Sequence, residues 1–256
     1  MLVYDNYHFT LFYGTVQGIL MKRILMGLLL LSSSTLFAIE YFPPPFTAEY
    51  QLYAKGIPVG KGTRSLMALP EGKWQFETIG ETTGVVSLFQ DIRIEERSIF
   101  TQANGIIRPL KYTYFQTGNK ARSNELVFDW SQKVATNTFK DETKTISLKE
   151  GTLDRLLYQV VLMQELEQGK RKLQYPVADK GKITVYTPTF LGKERIETGL
   201  GKLETLKYER LSSNKERRTT LWCAPTLHYL PVRVEHVEEE DGDVFSLVLQ
   251  SVTGLN

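Results

Sequence analysis

RRTTLWCAPTLHYLPVRVEH, residues 217–236, is the stretch whose reading decides the fold. It gathers the only cysteine, Cys223, one of the three tryptophans, Trp222, and two of the three histidines, His228 and His236. Scarce reactive side chains in one short run suggest an active site. Their spacing suggests a piece of sheet. The residues around LWC alternate with period two, and so do those of VRVEH, which is the signature of half-buried strands. Ala224-Pro225 closes the first strand and Leu230-Pro231 opens the second, at positions where a missing backbone donor is tolerated.

The neighbouring hairpins extend this reading. Asp241-Gly242 suits a two-residue turn. That register pairs Glu240 with Asp243, Val234 with Leu249 and His236 with Leu247. Val232, Val234, His236, Phe245, Leu247 and Leu249 then share one apolar face, so His236 is expected to point toward the core. A similar turn at Ser213-Asn214 sets Leu206 against Leu221 and Tyr208 against Thr219, with Cys223 on their face. Glu209 beside Arg218 supports it, because opposite charges across strands attract. Arg210 facing Arg217 counts against it. A longer SSNK loop would shift the pairing and reverse these faces.

Period-two patterns fill most of the remaining chain. FTAEYQLYAKG places Phe46, Ala48, Tyr50, Leu52 and Ala54 on one face. KWQFETIGETT, DIRIEERSIF, LKYTYFQTG, RSNELVFDW, KVATNTF and TKTISLK follow, with turn residues between them. KLQYPVA, KITVYTPTF, KERIETG, KLETLKYERL and VFSLVLQSV complete the set. The expected fold is mainly β: a curved antiparallel sheet or incomplete barrel of about a dozen strands. One segment differs. GTLDRLLYQVVLMQELEQG predicts a helix over residues 152–168, with Thr152 as its cap and Gly169 as its stop. Leu153, Leu156, Leu157, Val160, Val161, Met163 and Leu166 make its apolar surface too broad for a solvated helix. The polar side lacks the basic bias of a membrane-surface helix, so it is expected to pack on the sheet.

The N-terminal region reads as an address. In MKRILMGLLLLSSSTLFA, residues 21–38, Lys22 and Arg23 precede a short apolar run, and Ala38 offers a cleavage site. The run is short of the ~20 residues of a membrane span, and no cysteine follows Ala38 to carry a lipid anchor. Residues 1–20 read as an extension upstream of a true start at Met21. Residues 39–256 form one β-rich domain, expected in the periplasm with no transmembrane segment once the signal is cleaved. The full chain carries a formal net charge of +2. Losing Lys22, Arg23 and Asp5 lowers that by one, so nothing points to nucleic acid or an anionic membrane. A single cysteine allows no internal disulfide.

Chemistry is hard to find. Cys223, His228 and His236 lack the spacing of a metal site, and no cofactor motif is present. Gly60-x-Gly62 opens a strand rather than a helix and lacks the third glycine of a dinucleotide fingerprint. A dyad of Cys223 with His228 or His236 is conceivable, but an alternating strand supplies nothing to stabilise a thiolate. Carboxylates such as Glu77, Glu95 and Glu96 could serve hydrolysis only if two faced one another across a cleft. Strand aromatics stand out instead: Tyr50, Tyr53, Trp74, Phe76, Tyr112, Tyr114, Phe115, Phe128 and Trp130. Core packing accounts for many of them. A concave face that binds an apolar or amphipathic ligand accounts for them too. The candidate ligand contacts are Tyr112, Tyr114, Trp130, Trp222 and Arg218.

RRTTLWCAPTLHYLPVRVE, together with TLDRLLYQVVLMQEL, LQYPVADKGKITVY, GKLETLKYER, YAKGIPVGKGTRSL and EERSIF, resembles an exported bacterial family known as domain of unknown function 3108. The resemblance covers about residues 46–252. Thr198-Gly199-Leu200-Gly201 departs from the family's frequent Thr-Pro-x-Gly, and Cys223 stands where an aliphatic residue is common. The resemblance implies export and a β-rich fold, and it carries over no catalytic residue. An open sheet around a helix, similar to periplasmic lipoprotein carriers, is the further expectation, and such an analogy is silent on function. Three readings follow: a non-enzymatic protein holding a lipid-like envelope molecule, an envelope interaction protein using strand addition, and, less favoured, a carboxylate hydrolase.

Overall fold

The computed structural model describes residues 41–118, 121–212, 217–238 and 242–255. The leader and the upstream extension lie outside these residues, as do the Ser213-Asn214 and Asp241 turn positions.

Alternating sequences become strands because each buries one face and leaves the other in water. The first run is β1 (Phe46–Ala54), β2 (Ile57–Ala68), β3 (Lys73–Thr82), a short helix α1 (Val85–Phe89), β4 (Arg93–Ala103), β5 (Ile106–Gln116), β6 (Arg122–Asp129), β7 (Val134–Phe139) and β8 (Glu142–Ser147). An inner unit follows: β9 (Leu153–Asp154), helix α2 (Tyr158–Glu167), β10 (Tyr175–Asp179) and β11 (Lys182–Tyr186). The second run is β12 (Thr189–Thr198), β13 (Gly201–Leu211), β14 (Arg217–Ala224), β15 (Leu230–Glu238) and β16 (Asp243–Thr253).

The two outer runs are meanders joined by pairing of the last strand with the first. The order is β12-β13-β14-β15-β16-β1-β2-β3-β4-β5-β6-β7-β8, thirteen strands in one antiparallel sheet. The sheet is not closed, and β12 and β8 are its edges. Its curvature is visible where the β12–β13 turn reaches β16: the Gly199 amide donates to Leu249 O at 2.8 Å. The three-stranded sheet β11-β10-β9 pairs parallel at β9–β10 and antiparallel at β10–β11.

The inner unit fills the concave side. Tyr158, Gln159, Val160, Leu162, Met163, Gln164 and Leu166 of α2 are all buried. They join Phe46, Tyr50, Leu66, Phe76, Phe100, Tyr112, Leu126, Tyr208, Leu221 and Val234 in one core. The expectation that the helix packs on the sheet holds. Its start does not. Helical geometry begins at Tyr158, and Leu153–Asp154 pairs with β10 instead. Thr152 accepts from the Lys149 amide. Asp154 Oδ1 accepts from the Leu156 and Leu157 amides at 2.9 and 2.8 Å, doing the work expected of Thr152.

Both C-terminal registers sit two residues from expectation. Leu206 meets Cys223, Tyr208 meets Leu221 and Arg210 meets Thr219. Val234 meets Leu247 and His236 meets Phe245. A shift of two keeps every side chain on its assigned face, so Cys223 and Leu221 still face the core.

Candidate functional site

The concave side is filled at depth and open at one end. On β15 and β16 the inward residues Val234 and Leu249 are 1% and 0% exposed. Further along the same two strands, His236 is exposed and its partner Phe245 is 47% exposed. The sheet therefore ends in a mouth. Leu52 of β1 pairs with Leu247 of β16 and continues the inward row. Diagonal to Leu52, on the rung of Tyr50, are two glycines paired with one another, Gly62 on β2 and Gly80 on β3. A Cβ on Gly62 would meet Leu52 Cδ1 at 2.9 Å and Leu247 Cδ2 at 3.2 Å; one on Gly80 would lie 3.6 Å from Leu52 Cδ2. The glycines let both leucines lie flat, and Leu52, Leu247 and Phe245 make an apolar floor.

Several arginines, some of them buried, project into the same interior. Arg210 of β13 donates to Thr219 Oγ1 at 3.1 Å, and that hydroxyl lies 3.0 Å from His236 Nδ1. The Arg210 guanidinium stacks on Tyr186 at 3.9 Å. Arg155 approaches Glu96 at 3.5 Å, and the same carboxylate accepts from Tyr112 Oη at 3.0 Å. Arg64 of β2 donates to Gln159 Oε1 at 3.0 Å and lies over the Tyr50 ring at 5.4 Å. Arg122 bonds Gln116 Oε1 at 3.0 Å and covers the Tyr114 ring. The acids among these groups are Glu96, Asp179, which accepts from Asn124, and Glu238, which Arg217 holds at 2.7 Å.

The titration shifts report this crowding. Desolvation, then the charges of Arg64, Arg210, Arg155 and Arg217, pushes the His236 imidazole down to about 3. Desolvation also lowers Lys180 at the β10–β11 turn, against the pull of Asp179 and with Arg155, Arg217 and Arg122 adding repulsion. Below the mouth, burial raises Asp154 to about 6, although Ser98 Oγ donates to it at 2.5 Å. Burial pushes the Cys223 thiol up to about 12.

Residues 49–249 match the family described as a protein of unknown function, DUF3108. The chain belongs to the DUF3108 family. No curated protein matches it. Among solved structures, this DUF3108 chain is similar to a crystal structure of a beta-barrel-like protein of domain of unknown function DUF1849 from Brucella abortus, at 8% identity and a TM-score of 0.51, covering 82% of this chain and 98% of that one. A lipoprotein candidate from Parabacteroides distasonis ATCC 8503 aligns at 12% identity with a TM-score of 0.32, over 83% and 97%. The first likeness shows a barrel-like fold and nothing more.

Within this DUF3108 fold the sequence candidates scatter. Tyr112 and Tyr114 are buried inside, beneath the mouth, with Arg155 also stacked on Tyr114. Trp222 lies on the other face of β14, between Lys207 and Arg233, and donates to Glu194 Oε2 at 3.0 Å. Arg218 is on that outer face beside Glu209 at 3.8 Å. Trp130 is at the opposite end of β6 from Arg122, donating to Pro109 O at 2.7 Å. Only Tyr112 and Tyr114 adjoin the mouth. His236 faces inward as expected, but the open end leaves it in solvent. Arg64, Arg210 and Arg155 were missed, although alternation marks two of them. In GKGTRSL, Arg64 shares the face of Gly60, Gly62 and Leu66, and in KLETLKYERL, Arg210 shares that of Leu206 and Tyr208.

Two concavities lie elsewhere. One of about 280 Å³ lies on the outer face of β4 and β5, lined by Arg97, Ile99, Lys111 and Thr113. One of about 20 Å³ lies between β7, β8 and the β10–β11 turn. Among the described residues no cluster of His, Cys, Asp and Glu could hold a metal. No helix among them is long and apolar enough to cross a membrane.

Proposed function

We propose that this is a non-enzymatic periplasmic protein that binds an amphipathic, lipid-like envelope molecule at the mouth of its sheet. The observation that carries it is the pair His236–Phe245: inward-facing, yet open to solvent, one rung above the buried Val234 and the half-buried Leu247, with buried Leu249 beyond. An apolar floor beside cations suits a molecule with both kinds of surface. The filled depth narrows the reading from a hollow carrier to a site at the open end. The signal-like segment at residues 21–38 supports export.

Native mass spectrometry of the purified exported protein, with solvent extraction of what it carries, tests this. Copurifying lipid near one equivalent supports it. Ligand-free protein that also fails to take up added amphiphile contradicts it.

A second reading, an envelope interaction protein, rests on α1. Val85, Leu88 and Phe89 there are 70%, 80% and 81% exposed, a concentration of apolar surface on five residues. The β8 edge favours strand addition less, since ETKTIS carries charges that guard an edge.

A further inference from the structure

We infer that the mouth holds an oxyanion head group, a carboxylate or phosphate, on Arg64, with Arg210, Thr78 and His236 around it. This rests on the reading of the mouth as an amphiphile site and assigns the polar half of its ligand.

Arg64 is 4% exposed and forms no ion pair among the described residues. Buried arginines are ordinarily paired with a carboxylate, because desolvating a lone charge is costly. Its neutral contacts, Gln159 Oε1 and the Tyr50 ring, do not neutralise it. Its Nε has no partner at all. Directly across the β2–β3 ladder sits Thr78, whose buried Oγ1 is also unpartnered. Arg210 presents a third buried atom without a partner, its Nε. Buried donors without acceptors are rare enough in folded proteins to require a cause.

Three groups on inward faces thus lack partners, and what they lack is an acceptor. His236 completes the set. The Thr219 hydroxyl that accepts from Arg210 lies 3.0 Å from His236 Nδ1, which leaves the ring's Nε2 side for a ligand. Arg210 and the ring share Thr219 as a partner, and Arg64 is among the charges that act on the ring. The nearby acids are already engaged, Glu96 by Arg155 and Tyr112, Asp179 by Asn124 and Glu238 by Arg217. A guanidinium fork matches the geometry of a carboxylate or phosphate. The apolar floor of Leu52, Leu247 and Phe245 then receives the chain behind the head group.

Calorimetric titration of the exported protein with inorganic phosphate, decyl phosphate, decanoate and uncharged 1-decanol tests the inference. The measurements are repeated in Arg64→Met and in Arg210→Gln, which alters a half-buried side chain should Arg64→Met fail to fold. The expected result is at least tenfold tighter binding of the two anionic amphiphiles than of decanol. Each variant should remove that gap while keeping decanol binding. Decanol binding as tightly as decanoate, or a gap that survives both substitutions, overturns the anion site and leaves the amphiphile reading standing. Phosphate binding that needs Arg64, without binding of any ten-carbon compound, supports the anion site and overturns the amphiphile reading. No binding of any probe overturns both.

Discussion

The hydroxyl of Thr219 lies 3.0 Å from Nδ1 of His236. Because the same oxygen accepts from Arg210, its proton is free to go to the ring. Desolvation and the surrounding arginine charges hold the imidazole neutral at the mouth of the sheet.

That neutrality sets one arm of the pH dependence, and Asp154 sets the other. His236 has a folded pKa below its ordinary 6.5, so the unfolded chain takes the proton first. Its contribution is present above about pH 6.5 and is lost as pH falls. Asp154 is raised from 3.8 to about 6, so the unfolded chain releases the proton first. Its contribution is present below about pH 4 and is lost as pH rises toward 6, at most on the order of 3 kcal/mol. Across pH 4–6 the two oppose each other. Denaturant midpoints against pH should therefore rise in Asp154→Asn and fall in His236→Gln relative to the parent protein. Asparagine suits the site, since its oxygen can accept from the Leu156 and Leu157 amides and its NH₂ can donate to Ser98. Parallel curves for all three proteins would refute the assignment.

Glu96 and Arg155 tie the inner unit to β4, with Tyr112 as a third member. Breaking a fully buried pair costs about 3–5 kcal/mol. Arg155 keeps 35% of its side chain in water, so Arg155→Met is expected to cost on the order of 2 kcal/mol. Chemical denaturation measures it. Arg155→Met and Glu96→Gln together should cost less than the sum of the two alone, since they share one interaction. Additive losses would show that the pair is not coupled.

Cys223 is fully buried, and its thiol is pushed up to about 12. A water-soluble maleimide should leave it unmodified in the folded protein and label it only on unfolding. Cys223→Ala should cost about 1 kcal/mol through the space it vacates and leave ligand binding unchanged. Rapid labelling of the native protein would contradict this.

Gly199 has no room for a side chain: a Cβ would stand 2.3 Å from Gln250 O on the backbone of β16. Its amide also carries the bond to Leu249 O. Gly199→Ala must push the β12–β13 turn off β16, and overpacking of this kind costs about 1–3 kcal/mol. Thermal melting checks it, and an unchanged melting temperature would show that the contact bears no load.

The faces of the strands were legible in the sequence because alternation is local. Cys223 and Val234 were assigned inward from period alone. The registers were not legible, since both depended on loops whose length the sequence left open; a shift of two moved the partners and kept the faces. The start of α2 went wrong because pairing of Leu153–Asp154 with β10 is a tertiary event that cap chemistry cannot foresee. The β16–β1 pairing, which makes one sheet of two meanders, spans nearly the whole described chain and leaves no local mark. The mouth was hidden for a similar reason. His236 and Val234 share a face and a pattern, and only the reach of the inner unit decides which of them stays in solvent. Trp222 misled in the opposite direction: it is buried on the outer face, between two cationic side chains, without belonging to the core face of its strand.

The central claim is that the ligand lies at the mouth. Methyl-labelled NMR of the protein during titration with decanoate measures it most directly. The account predicts saturable shifts at Leu52 and Leu247, with Leu126 in the filled depth unmoved. Shifts confined to Val85 and Leu88 on α1, or none at Leu52 and Leu247, would contradict it.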